Sequence, residues 1–150
     1  MSSTGDLNFG IKVEIVWFDQ DVVECQFACS NRRFSGVTKI YFSRQGMPKM
    51  IDALEGFPST PSDVRDLELG TFNPKRANGG VRLRCYCRDS AGHAVVEVTL
   101  RGDGCNGLGE PDSVALLFPV EAAAIDSFVK QIRTMDTKQL GATAFLAMAN

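Results

Sequence analysis

Five cysteines and a single histidine are the residues of this chain best suited to covalent or metal chemistry. Cys25 and Cys29 share a face if their segment is extended, and so do Cys85 and Cys87. Together they offer four thiolates. A structural zinc site, however, usually takes C-x2-C on a turn, where the backbone wraps the ion, and an extended Cys85-x-Cys87 cannot do so. The cysteines therefore read as small core hydrophobes in a reducing cytoplasm, with neither a disulfide framework nor a metal. His93 stands beside Gly92 at a turn. A Cys–His nucleophilic pair would need it near Cys87 or Cys105. If Arg88 pairs with His93 across that turn, Cys87 falls diagonally on the opposite face. Gly102-x-Gly104-x-x-Gly107 matches the spacing of a dinucleotide fingerprint, but Glu110-Pro111-Asp112 and a strand follow it, not the helix that would receive a pyrophosphate. Asp103, Asn106, Glu110 and Asp112 depart from the spacing of a calcium loop. The acidic pairs Asp63/Asp66 and Glu110/Asp112 look like solvated loop charges. With no G-x-S-x-G, H-E-x-x-H or P-loop present, no catalytic residue and no cofactor is assigned.

The most distinctive grouping is basic and aromatic. Arg82, Arg84, Arg88 and Arg101 share the polar face of a predicted hairpin with Tyr86, Val95 and Thr99. Arginine supplies a fork of donors and tyrosine a rigid amphipathic surface, the pair that anchors protein interfaces. The competing description is a solvated sheet face with one Arg84–Glu97 cross-strand pair.

Period-two polarity places that hairpin. Val81, Leu83, Cys85 and Cys87 alternate with Arg82, Arg84, Tyr86 and Arg88; DSAG turns the chain, and Ala94, Val96, Val98 and Leu100 resume the apolar face. A four-residue loop then sets Arg84 opposite Glu97 and Leu83 opposite Val98. Upstream, IKVEIVWF and VVECQFAC form an opening hairpin, with Val13 facing Phe27, Ile15 facing Cys25 and Trp17 facing Val23. VTKIYF gives a third strand. Pro48, Met47, Met50, Ile51 and Leu54 give a short helix that stops at Gly56. DVRDLELGTF and SVALLF are further strands. Pro119 opens the longest helix, which carries Ile125, Phe128, Val129 and Ile132 as its apolar stripe to about Met135. No internal repeat is visible. The order implies an α+β domain over 1–135, an antiparallel sheet of about six to seven strands with two helices packed on one face, and a tail over 136–150 that is a short helix or disordered.

Composition narrows the partners. At 150 residues, 44% hydrophobic and 23% charged, the chain is ordinary globular material. Sixteen basic against eighteen acidic residues leave a net charge of -2, which disfavours general nucleic-acid binding and a polybasic membrane anchor. No apolar run is long enough to span a bilayer, and the first ten residues lack a signal peptide's basic and apolar regions.

The outline from Ile11 to Met135 resembles the immunity proteins of bacterial polymorphic and contact-dependent toxins, those related to the wall-associated toxin's antidote. The likeness is carried by the opening hairpin, VTKIYF leading to MIDALEGFP, the two central hairpin strands, and LLFPVEAAAIDSFVKQIRTM. It implies a non-enzymatic cytoplasmic protein that occludes a cognate toxin domain, and it supplies no catalytic residues. The chain departs from it in its Gly102–Gly109 loop, its five cysteines and its mild acidity, since antidotes to nucleases are often strongly acidic. The expectation is thus a protein-binding surface at Arg82, Arg84, Tyr86, Arg88 and Arg101. The alternatives are a small-molecule site or enzyme built on the Gly102–Gly109 loop, and a zinc-stabilised domain.

Overall fold

In the computed structural model, which describes residues 9–73, 75–104 and 106–150, the alternating segments become strands and the 3.6-period segments become helices. The elements are β1 (Gly10–Phe18), β2 (Val22–Ser30), β3 (Ser35–Ser43), α1 (Gly46–Leu54), β4 (Val64–Gly70), β5 (Gly80–Cys87), β6 (Ala94–Arg101), β7 (Ser113–Val120), α2 (Ala122–Thr134) and β8 (Thr143–Ala147). The chain is α+β with antiparallel strands, as its pattern implies. The strands form two sheets of four, ordered β3-β2-β1-β8 and β4-β5-β6-β7, in place of one sheet of six or seven. The cause is the two helices. Each follows a three-strand meander and carries the chain away, so the next strand joins the other meander.

The element order is a β-β-β-α-β unit written twice, and each unit donates its last strand. β4 leaves the first unit to pair with β5, and β8 leaves the second to pair with β1. The element order repeats although no internal repeat is visible in the residues.

The central hairpin keeps its expected register, with Arg84 opposite Glu97 and Leu83 opposite Val98. Arg88 N–H donates to the His93 carbonyl at 2.9 Å. In the first hairpin Val13 meets Phe27 and Ile15 meets Cys25, but the register then shifts at Val16. Trp17 lies opposite Glu24 rather than Val23 and points outward, 43% exposed. A bulge displaces one residue, so everything beyond it changes face.

Two boundaries also differ. Pro119 does not open α2; it is the penultimate residue of β7, and α2 begins at Ala122. Proline is tolerated there because alternate residues of an edge strand turn their backbone groups outward, and position 119 is one of them. Its carbonyl accepts from Ala149 N–H at 2.7 Å. The tail is neither a helix nor frayed: it ends in β8, with Ala144 and Leu146 fully buried.

One continuous buried cluster joins both sheets and both helices, from Ile11, Phe27 and Leu146 to Leu83, Phe118 and Phe128. α1 packs on β4 and on α2, while α2 packs on β8. β3 crosses the second sheet, where Thr38 Oγ1 donates to the Arg101 carbonyl at 2.8 Å in a buried bond. The approach is close enough at Gly79 that a Cβ there would lie 2.6 Å from the Lys39 carbonyl.

The sheet edges are closed by side chains. Asn78 brackets Tyr41 on β3, donating Nδ2 to its carbonyl at 2.9 Å and accepting its N–H at 3.0 Å. Gln131 of α2 brackets Phe145 on β8 in the same way, at 3.2 and 2.9 Å. In the second sheet, Lys49 Nζ donates to the Glu68 carbonyl on β4, and Asn31 Nδ2 to the Leu117 carbonyl on β7, each at 2.9 Å. Unpaired edges invite further strands, and these groups occupy them.

Candidate functional site

The helices and inner faces account for the core, which leaves the two outer sheet faces open to other molecules. Facing residues across the second sheet form three rows: Glu68, Arg82, Thr99, Ala115; then Asp66, Arg84, Glu97, Leu117; then Val64, Tyr86, Val95, Pro119. Arg82 and Arg84 are exposed and Tyr86 is half-buried beside them. Arg84 lies 5.8 Å from the Tyr86 ring. Arg88 is exposed just past the end of β5, at the hairpin turn.

Arg101 stands apart from this group. It is on the same face by register, yet only 5% exposed, because Thr71, Asn73 and Asn78 close around its guanidinium. Its guanidinium donates to the carbonyls of Thr71 (3.1 Å), Asn78 (2.7 Å) and Asn73 (3.2 Å). That arginine organises a loop and offers nothing to a partner. Among the exposed arginines, Arg82 is engaged. Arg82 donates Nη2 to Glu68 Oε1 at 2.7 Å and stacks 4.6 Å from the Phe72 ring. Arg84 stands between Asp66 and Glu97 in its row. Three carboxylates meet two guanidiniums there, so the face carries no surplus of positive charge.

The first sheet differs. Its outer rows are Phe145, Lys12, Ala28, Val37; then Thr143, Glu14, Gln26, Lys39; and, at the end near the β2–β3 turn, Ala147, Gly10, Ser30, Ser35. Small residues in register lower the floor between Phe145 and Val37, leaving an open hollow of about 440 Å³ lined also by Lys12 and Thr143. Gly10 holds its place in that floor by necessity. Its φ is 132°, and a Cβ would collide with the Leu146 carbonyl. At the other end of the face Trp17 and Tyr41 meet edge to face, with centroids 6.0 Å apart. The Glu24 carboxylate beside Tyr41 raises the phenol's pKa. The period-two pattern contained this face too, as the complement of the apolar set. Its small residues on adjacent strands only line up once the hairpin registers are known.

The other sequence candidates separate in space. Burial pushes the Cys25, Cys29 and Cys85 thiols up to about 12, so they stay protonated and inert. Cys87 is half-buried and Cys105 lies outside the described residues. Among the described residues no group of three or more His, Cys, Asp or Glu side chains could hold a metal ion. His93 Nδ1 pairs with Asp89 Oδ2 at 2.6 Å on the exposed turn, and that bond lowers the Asp89 pKa. Asp63 is held down to about 2, first by hydrogen bonds from Arg65 and then by Ser59 N–H. Arg65 also donates to the carbonyls of Ala53 and Glu55 at the end of α1, so this pair fastens a helix and is not poised for proton transfer.

In the Gly102–Gly109 loop residues 106–109 are exposed, and β7 follows with no helix before it. Beside it is a hollow of about 390 Å³ lined by Phe72, Arg82, Thr99, Arg101, Glu110, Pro111 and Ser113. Both of its guanidiniums already have partners. No helix is long and apolar enough to cross a membrane among the described residues. Comparison with known proteins returned no match: no family model, no curated protein and no solved structure.

Proposed function

We propose that this chain is a non-enzymatic protein-binding domain that works in the bacterial cytoplasm and acts by covering a partner's surface, as an immunity protein covers its toxin. One observation carries the reading. Both four-stranded sheets present an outer face that the chain's own helices leave open, and large apolar side chains stand exposed there, among them Trp17, Val37, Tyr41, Val64 and Leu117. Rigid faces with aromatic and aliphatic anchors set among charges are the usual material of protein interfaces. The inertness of the buried thiols and the structural employment of Arg65 and Asp63 support a binding role over a chemical one. A small-molecule site beside the Gly102–Gly109 loop has less support, because both guanidiniums that line the hollow there are already bonded.

The test is affinity capture from the source cells with the wild type, with the double substitution Arg84→Glu and Tyr86→Ala, and with Lys12→Glu. The reading expects a stable partner that the wild type retains and that one of the face variants loses. It also expects the protein to relieve the toxicity of that partner when the two are co-expressed. Failure of the wild type to retain any stable protein overturns it.

A further inference from the structure

We infer that the hollow on the outer face of the first sheet seats an acidic stretch of a partner protein that carries one bulky apolar side chain. This rests on the protein-binding reading and gives it a place and a chemistry.

Shape comes first. The hollow is floored by Gly10, Ala28 and Ser30 and walled by Phe145 and Val37, and Val37 is 61% exposed. An apolar side chain inserted there meets an aromatic ring on one side and a branched aliphatic group on the other. Gly10 cannot be enlarged without collision, so the depth belongs to the backbone and not to a mobile side chain. At about 440 Å³ the space is within the range that takes a bound group.

Charge selects the occupant. Lys12 lines the hollow, Lys39 lies in the adjoining row, and Arg32 stands at the β2–β3 turn with its guanidinium 5.1 Å from the Phe9 ring. Against these three cations the adjoining rows supply one carboxylate, Glu14, 3.6 Å from Lys12 in a loose exposed pair that an incoming carboxylate can replace. Lys39 and Arg32 have no carboxylate partner among the described residues. The second sheet differs in its balance: Glu68 pairs with Arg82, and Asp66 and Glu97 flank Arg84 in its row, so carboxylates already outnumber guanidiniums there. A partner carrying negative charge gains on the first face and gains little on the second.

Nuclear magnetic resonance titration of the isotope-labelled full chain tests this. The probe is the capped peptide Asp-Glu-Phe-Glu-Asp. Controls are Lys-Arg-Phe-Arg-Lys, Asp-Glu-Ala-Glu-Asp and phenylacetate. The expected result is saturable shifts at the amides of Lys12, Ala28, Ser30 and Val37 with a dissociation constant of about 1–10 mM. Lys12→Glu and Ala28→Glu should each weaken binding by about tenfold or more while Lys12→Arg retains it, and the basic and alanine controls should bind far less. Shifts confined to Tyr86 and Val95, equal response to the basic peptide, no response at all, or phenylacetate binding as well as the peptide would overturn it. Such a failure is separable from failure of the wider reading: a captured partner released by the Arg84 and Tyr86 substitutions, and not by Lys12→Glu, keeps the function and moves the site.

Discussion

The outer faces of the two sheets are built from the same kind of strand and end in different electrostatic balances. On β5, Arg82 and Arg84 each stand in a row with carboxylates, and Arg82 is paired with Glu68. On β1, β2 and β3 the corresponding rows hold small residues, and the lysines are left without close partners beyond Glu14. Residue type alone favoured the first of these as a contact surface, since arginine and tyrosine dominate interface energetics. Register shifts the emphasis: the arginine rows already hold three carboxylates for two guanidiniums, whereas Lys12 and Lys39 stand among small and neutral residues with Glu14 between them.

The comparison can be broken most severely at Arg101, the arginine that belongs to neither state. Arg101→Met should cost about 2–4 kcal/mol in chemical denaturation, because three carbonyls of the covering segment lose a charged donor. A loss under 0.5 kcal/mol, a surface-like value, would mean that this arginine is as free as Arg84 and belongs with the binding face after all. Next come the amide clamps on the first sheet. Asn78→Ala and Gln131→Ala should each cost about 1–2 kcal/mol and speed hydrogen exchange at Tyr41 and Phe145 respectively. Unchanged exchange at those amides would show the edges to be protected by packing instead.

A pH titration sharpens the contrast between the buried and exposed sides of the strands. Three thiols have folded-state pKa values raised from 9.0 to about 12, so their contribution is complete below pH 9.0 and is lost as pH rises toward 12. Stability should fall over that alkaline range, and less so in Cys85→Ala once its own cavity cost is subtracted. At neutral pH, alkylation among the described cysteines should begin at half-buried Cys87; reaction at Cys25 first would contradict the burial assigned to β2. The smallest effect is expected from Arg82→Ala. An exposed pair with Glu68 is worth about 0–1 kcal/mol, and high salt should erase the difference from wild type.

Much of the architecture was legible in the residues. Both hairpins, the third strand and the buried stripe of α2 follow from alternation and helical spacing, because these local patterns dictate which side chains leave water. What escaped was whatever depends on pairing across distance. TAFLA carries only two large side chains and reads as filler, yet its backbone completes a sheet with β1. Without β8 the second β-β-β-α-β unit is truncated, so the repeated order is hidden and two sheets read as one. Alternation alone turns Trp17 toward the core, because a bulge has no signature in the residues before it. As for the proposed surface, the arginines were identified by type, while the hollow needs Gly10, Ala28 and Ser30 to be aligned on two strands, which only the register supplies.

The mutual loan of β4 and β8 has a mechanical implication. Neither half of the chain owns a complete sheet, so pulling the halves apart strips an edge from both at once and exposes both cores together. A single cut in the exposed connection between β4 and β5 should therefore leave the two pieces clasped, released only by conditions that melt the whole molecule. The protein behaves as a pair of interlocked hands joined by one short sleeve, and its opening should be concerted from end to end.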